Sequence, residues 1–190
     1  MAKVYVFLAD GFEDIEALAP IDILRRGGMD VVTVSVMDYQ LVESAHGVSV
    51  MADALFDDVA SFDDADLLVL PGGMPGASNL YNHEGLRRVL VDQYERQGRI
   101  AAICASPGVV LAPLGILSGK RATCYPGFEQ ALTDTTYTAD LVTTDGLVTT
   151  ACGPGAAMAF GYELLRVLGA SAAADALQEG MRYNQLMERA

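Results

Sequence analysis

Residues 99–114 read RIAAICASPGVVLAPL, and this stretch decides the fold. Arg99 to Ile103 is a short, continuous apolar run without polar alternation, as expected of a strand covered on both faces of a parallel sheet. Ser106 to Leu114 then reads as a helix. Cys104 therefore falls at a sharp strand-to-helix turn, where the small residues Ala105, Ser106 and Gly108 allow tight packing. At such a turn the unpaired N–H groups and dipole of the helix favour a thiolate. Taken alone, the cysteine reads equally as a small buried hydrophobe.

The same alternation extends on both sides. Lys3 to Ala9, Asp30 to Met37 and Asp66 to Leu70 read as buried strands, with a short one at Val48 to Met51. Glu13 to Arg26 carries Ile15, Leu18, Ile21 and Leu24 at helical spacing, interrupted by Pro20 and stopped by Gly27-Gly28. Glu84 to Gln97 is a further helix, with Asn82 as its expected N-cap. Toward the C-terminus, Leu141 to Thr150 reads LVTTDGLVTT, a β-hairpin turning on Asp145-Gly146. Helices over Gly155 to Leu168 and Ala172 to Leu186 follow. Strands alternating with helices predict an α/β domain of flavodoxin-like three-layer type, a mostly parallel doubly wound sheet with a C-terminal hairpin, spanning residues 1–190 as one domain.

Composition bounds the rest. Of 190 residues, 52% are hydrophobic, which excludes a disordered chain, and the formal net charge of −13 disfavours nucleic acid and anionic membranes as partners. The N-terminal MAKVYVFLAD has too short an apolar run for an export signal, so a cytoplasmic location is expected. The cysteines Cys104, Cys124 and Cys152 form no CxxC pair, which fits reduced thiols. With only two histidines, a structural zinc site is not expected, and no GxxxxGK[ST] phosphate loop occurs.

Ligands of doubly wound sheets bind beyond the carboxyl ends of the strands. Three segments fall there: Gly11 to Glu16, Pro71-Gly72-Gly73-Met74, and Ala102 to Gly108. Gly72-Gly73 could present N–H groups to an oxyanion or simply turn the chain. Glu13, Asp14 and Glu16 open a helix, where carboxylates are favourable in any case. A carboxyl facing Cys104 would instead be pushed toward its protonated form and could donate to the sulfur.

The segments ADGFEDIE (9–16), VLPGGMPGASNL (69–80), AAICASPGVVLAP (101–113) and ACGPG (151–155), in this order, resemble the ThiJ/PfpI (DJ-one) superfamily, which shares the class I glutamine amidotransferase-like architecture. The resemblance implies Cys104 as an elbow nucleophile, Glu16 as the buried acid beside it, and Glu13 as an acidic neighbour. It also implies Gly73 and Ala105 as the oxyanion hole, with Gly72, Met74, Tyr125 and Pro154 lining the pocket. No cofactor, no metal and a homodimer are implied as well. One departure stands out. Tyr125 occupies the place where that branch carries a histidine, so a Cys–His relay cannot be assembled in the usual way. Cys152 likewise stands where a basic residue is common.

Three functions compete on these grounds. The first is a cofactor-independent glyoxalase or deglycase acting on small reactive carbonyls. The second is a redox-sensing or chaperone-like protein with an oxidisable Cys104. The third is a cysteine peptidase or amidase, which the missing histidine disfavours. His46, Arg25 and Arg26 are further residues that could reach the site, and Cys124 reads as core.

Overall fold

The computed structural model describes residues 1–189. In chain order the elements are β1 (Lys3–Leu8), α1 (Asp14–Arg26), β2 (Asp30–Ser35), β3 (Leu41–Glu43), β4 (Ser49–Met51) and β5 (Ala54–Leu55). They continue with β6 (Leu67–Leu70), α2 (Gly76–Asn82), α3 (Glu84–Glu95), β7 (Arg99–Ile103), β8 (Arg121–Ala122) and β9 (Thr136–Tyr137). The last are β10 (Val142–Asp145), β11 (Val148–Ala151), α4 (Ala157–Val167), α5 (Ser171–Gly180) and α6 (Tyr183–Met187). Seven strands form the central sheet in the order β10-β11-β7-β6-β1-β2-β5. All neighbours pair in parallel except β10, which runs antiparallel to β11.

The apolar strands bury both faces, as their composition requires. One face, with Val4, Val6, Leu8, Val69, Ala101 and Ile103, packs under α1 and α4. The other, with Tyr5, Phe7, Leu68, Leu70, Ile100 and Ala102, packs under α2, α3 and the segment after β7. This is the expected three-layer flavodoxin-like α/β sandwich. Winding reverses between β1 and β6, so their tips, together with that of β7, frame the crevice where such sheets bind ligands.

Several local expectations are corrected. The hairpin turns on Gly146-Leu147, not on Asp145-Gly146, because Asp145 still pairs with Val148. Gly146 supplies the positive φ of 60° and Leu147 does not share it, which is the pattern of a turn that needs glycine only at its first central position. Helix α3 is capped by His83, whose Nδ1 accepts from the Leu86 amide at 3.0 Å, while Asn82 closes α2. Pro20 lies buried inside an unbroken α1. After Cys104 the chain forms a single π-type turn over Pro107–Leu111, with Ala112 donating to the Pro107 carbonyl, in place of a regular helix to Leu114. The last predicted helix is two, parted at Arg182 in the left-handed conformation. No helix among the described residues is long and apolar enough to cross a membrane.

Candidate active site

Cys104 is the first residue beyond β7. Its amide still donates to the Ala151 carbonyl of β11, and its carbonyl accepts from the Tyr125 amide at 2.8 Å. Held at both ends, it adopts φ +64°, rare for a residue with a side chain, and turns its sulfur out of the sheet. Cys104 as a residue is 8% exposed, not sealed completely into the core.

Glu16 comes to this sulfur from α1. Its side chain is fully buried, and Oε2 accepts from the Gly72 amide at 3.0 Å. Glu13 caps the same helix by accepting the Glu16 amide through Oε2, and its own amide donates to the Gly72 carbonyl at 3.0 Å. Gly72 sits between acid and thiol. A β-carbon there would lie 2.5 Å from Glu16 Oε2 and 2.6 Å from Cys104 Cβ, so only glycine lets the two groups face each other. Gly73, at φ +89°, has the same constraint against the backbone of Gly11 and Glu13. The backbone N–H groups of Gly73 and Ala105 are close enough to the Cys104 sulfur to favour its charged form.

The electrostatics follow from burial. Desolvation raises the Glu16 carboxyl to about 7, against the nearby Cys104 thiol and the Gly72 amide, which lower it; Oε1 is buried without a hydrogen-bond partner among the described residues. Desolvation first, then the charge of Glu16, push the Cys104 thiol up to about 12, outweighing the two N–H groups. The resting thiolate expected from a helix N-terminus is therefore corrected. With only a short π turn behind it and a carboxylate across from it, the sulfur holds its proton once Glu16 has lost its own. The pair gives up one proton near neutral pH and retains the second.

Other candidate residues fall at varying distances from this centre. Tyr125 is 45% exposed, its ring lying over Gly153, and Pro154 opens the turn leading into α4. Met74 is 49% exposed and its sulfur accepts from Ser78 Oγ at 3.9 Å. His46 is largely exposed, with Nδ1 3.0 Å from Asp14 Oδ2. With Glu13 these two could converge on a cation, although the ion pair and the helix cap already account for the cluster. Arg25 and Arg26 turn away, pairing with Asp53 and Asp22. Cys124 is core. A hollow of about 380 Å³ between Phe56, Phe62 and α3 holds no thiol or histidine, and its Arg88 and Arg96 are paired with Glu84 and Asp63. Residues sequence reasoning missed are Ser106, which anchors the turn on the Pro71 carbonyl, and Asp10, which accepts from Tyr39 and the Glu43 amide. A serine among small residues at an elbow carries no pattern that announces such a bond.

Residues 2–167 match the model of the DJ-1/PfpI family. The Arabidopsis thaliana protein DJ-1 homolog B is 40% identical over 168 residues, which cover 87% of this chain and 38% of the plant protein. The chain thus spans less than half the length of that relative. The Schizosaccharomyces pombe glutathione-independent glyoxalase DJ-1 is 31% identical over 175 residues, covering 87% of this chain and 90% of the yeast protein. Among solved structures, oxidised Toxoplasma gondii DJ-1 superposes with a TM-score of 0.91 at 36% identity, covering 95% of this chain and 98% of that one. A thiol, a buried acid and a glycine turn converging at the strand tips, in a chain matched almost end to end, place this protein in the DJ-1/PfpI family.

Proposed function

We propose that this protein is a cofactor-independent glyoxalase of the 2-oxoaldehyde type, converting methylglyoxal-like compounds to 2-hydroxy acids. The observation that carries the reading is the placement of Glu16, a carboxyl raised to about 7, across Gly72 from the Cys104 thiol. A base with that affinity for protons is matched to neutral pH. As the sulfur attacks the aldehyde carbon, Glu16 takes the thiol proton, an S–C bond forms, and the carbonyl oxygen becomes an oxyanion facing the N–H groups of Gly73 and Ala105. Glu16 returns that proton, giving a hemithioacetal. It then removes hydrogen from the former aldehyde carbon and redelivers it to the neighbouring carbon, while the hydroxyl proton passes to the neighbouring carbonyl oxygen, leaving a 2-hydroxy thioester that water hydrolyses. Atoms and electrons balance: one carbon is oxidised, its neighbour reduced, and one water consumed. Tyr125 is not required in any of these transfers, so the absence of a histidine there leaves the route intact. The relative from fission yeast named as a glyoxalase supports the same assignment.

The test is methylglyoxal turnover in deuterated water without added thiol or metal, followed by NMR. Lactate carrying solvent deuterium at C2 is expected, because the proton on Glu16 exchanges. Absence of lactate would sink the assignment, and lactate keeping the original hydrogen would remove Glu16 from the transfer.

We further infer a homodimer. Ile15 and Leu18 of α1 are 52% and 38% exposed, and Val48 and Met51 of the adjoining β3–β4 hairpin are 47% and 62% exposed. The hairpin is tied to the start of α1 through Ala45 N–H donating to the Phe12 carbonyl, which puts these side chains on adjoining elements. Exposed apolar side chains gathered on adjoining elements support reading this face as the dimer contact. Leu18→Glu is expected to convert a dimer to a monomer in light scattering; an unchanged mass would place the contact elsewhere.

A further inference from the structure

Cys104 and Cys152 are in register. Strands β7 and β11 pair in parallel with Ile103 opposite Ala151, and the ladder runs one bond further, from the Cys104 amide to the Ala151 carbonyl at 2.9 Å. The next pair along the register is Cys104 and Cys152. Cys152 keeps to the sheet edge as well, its amide donating to the Leu141 carbonyl at 3.0 Å. Neighbouring strands lie about 4.8 Å apart, and a disulfide spans Cα separations of about 4.4–6.8 Å.

Both sulfurs also belong to the same side of the sheet. Cys104 is part of the apolar cluster beneath α1 and α4, and the half-buried Cys152 packs against that cluster. Cys124 is fully buried in the opposite cluster. After burial, the charge of Glu16 is a further influence raising the Cys152 thiol, so one carboxyl lies within electrostatic range of both cysteines.

We propose that Cys152 is the resolving thiol for oxidised Cys104, so that a hydroperoxide closes the site reversibly as an intrachain Cys104–Cys152 disulfide. The hydroperoxide oxidises the Cys104 sulfur by two electrons: an S–O bond forms, the O–O bond breaks, and water or an alcohol leaves. The Cys152 sulfur then attacks the sulfenic sulfur. An S–S bond forms, the S–O bond breaks, and the hydroxyl departs as water with the proton released from Cys152, for which Glu16 is the adjacent acceptor. A small-molecule or protein dithiol restores both thiols by exchange. Without Cys152 the sulfenic acid has no partner, and a second hydroperoxide oxidises it by two more electrons to sulfinate, which thiols do not reverse.

This inference concerns the sulfur of the carbonyl reading but does not need turnover, and its test reads mass. The full chain is treated with a several-fold excess of hydrogen peroxide, and intact mass and non-reduced peptides are followed over time. The expected result is a loss of about 2 Da with a peptide joining Cys104 to Cys152, reversed by dithiothreitol. Cys152→Ser and Cys152→Ala are expected to gain about 32 Da at Cys104 instead, irreversibly, and roughly tenfold faster than the wild type gains it. Cys124→Ser should behave as wild type. A bridge to Cys124, or sulfinate forming in the wild type as fast as in the Cys152 variants, overturns the proposal. Lactate formation assayed before peroxide is added tests the carbonyl reading separately.

Discussion

Cys104→Ser is expected to lower methylglyoxal turnover by at least about a thousandfold while the chain remains folded. The hydroxyl is close in size to the thiol, so the turn, anchored through Ala151 and the Tyr125 amide, has no reason to change. What changes is the nucleophile. Glu16, raised only to about 7, can take a proton from a thiol but is far too weak a base to activate an alcohol. Neither other cysteine can substitute, since Cys124 is buried in the opposite core and Cys152 lies on the neighbouring strand tip without the Gly73 and Ala105 amides that favour the charged form of Cys104. Lactate appearing at a comparable rate in this variant, with its thermal unfolding unchanged, would falsify the nucleophile assignment.

Glu16→Gln is expected to separate activity from stability. Turnover should fall by roughly a hundred- to ten-thousandfold, the usual contribution of a positioned acid–base group. Wild-type activity should rise as pH passes through about 7, where Glu16 becomes the base, and the variant should lose that step. Alkylation of Cys104 by iodoacetamide should move to lower pH in the variant, because the carboxylate charge that helps hold the thiol protonated is gone. The stability change has the opposite sign. The folded chain binds a proton at Glu16 up to about 7, whereas the unfolded carboxyl releases it near its ordinary value of 4.5. The acid's contribution is therefore fully present below about 4.5 and is lost as pH climbs through 7. At pH 8 the glutamine variant should be more stable by roughly 2–4 kcal/mol, and at pH 4 the two chains should match, as read by urea unfolding. A variant less stable at pH 8 would mean that the carboxylate is held by bonds strong enough to outweigh its burial.

The fold was legible because its strands are buried on both faces. Val4 to Leu8, Leu67 to Leu70 and Ile100 to Ile103 are apolar without interruption, and that pattern admits few architectures. Helix α2 was not legible: its sequence GASNLYN is made of turn formers, and it holds its place through Gly76 donating to the Gly11 carbonyl and Asn79 Nδ2 donating to the Asp10 carbonyl. The Asn82 cap failed for a related reason, since two helices abut there and the side chain that reaches the free amide is an imidazole, which cap statistics rank low. At the site, the positions of Cys104 and Glu16 were readable from motifs. The ionisation of the sulfur was not, because it depends on how much water the carboxyl and thiol lose together. The register of Cys104 with Cys152 likewise emerges only once β7 and β11 are paired.

The loops around the thiol touch through their main chains. A β-carbon on Gly73 or Gly76 would run into the backbone of Gly11, Phe12 or Glu13, and the Glu13 and Gly76 amides are bonded across this seam, at 3.0 and 3.1 Å. With no side chain between them to shift, these segments have no independent way to breathe. Their amide hydrogens should accordingly exchange with solvent as slowly as those of β1 and β6, on the timescale of global unfolding rather than of loop fraying. Rapid exchange at Glu13 or Gly76 would reveal a local opening that this backbone contact does not permit.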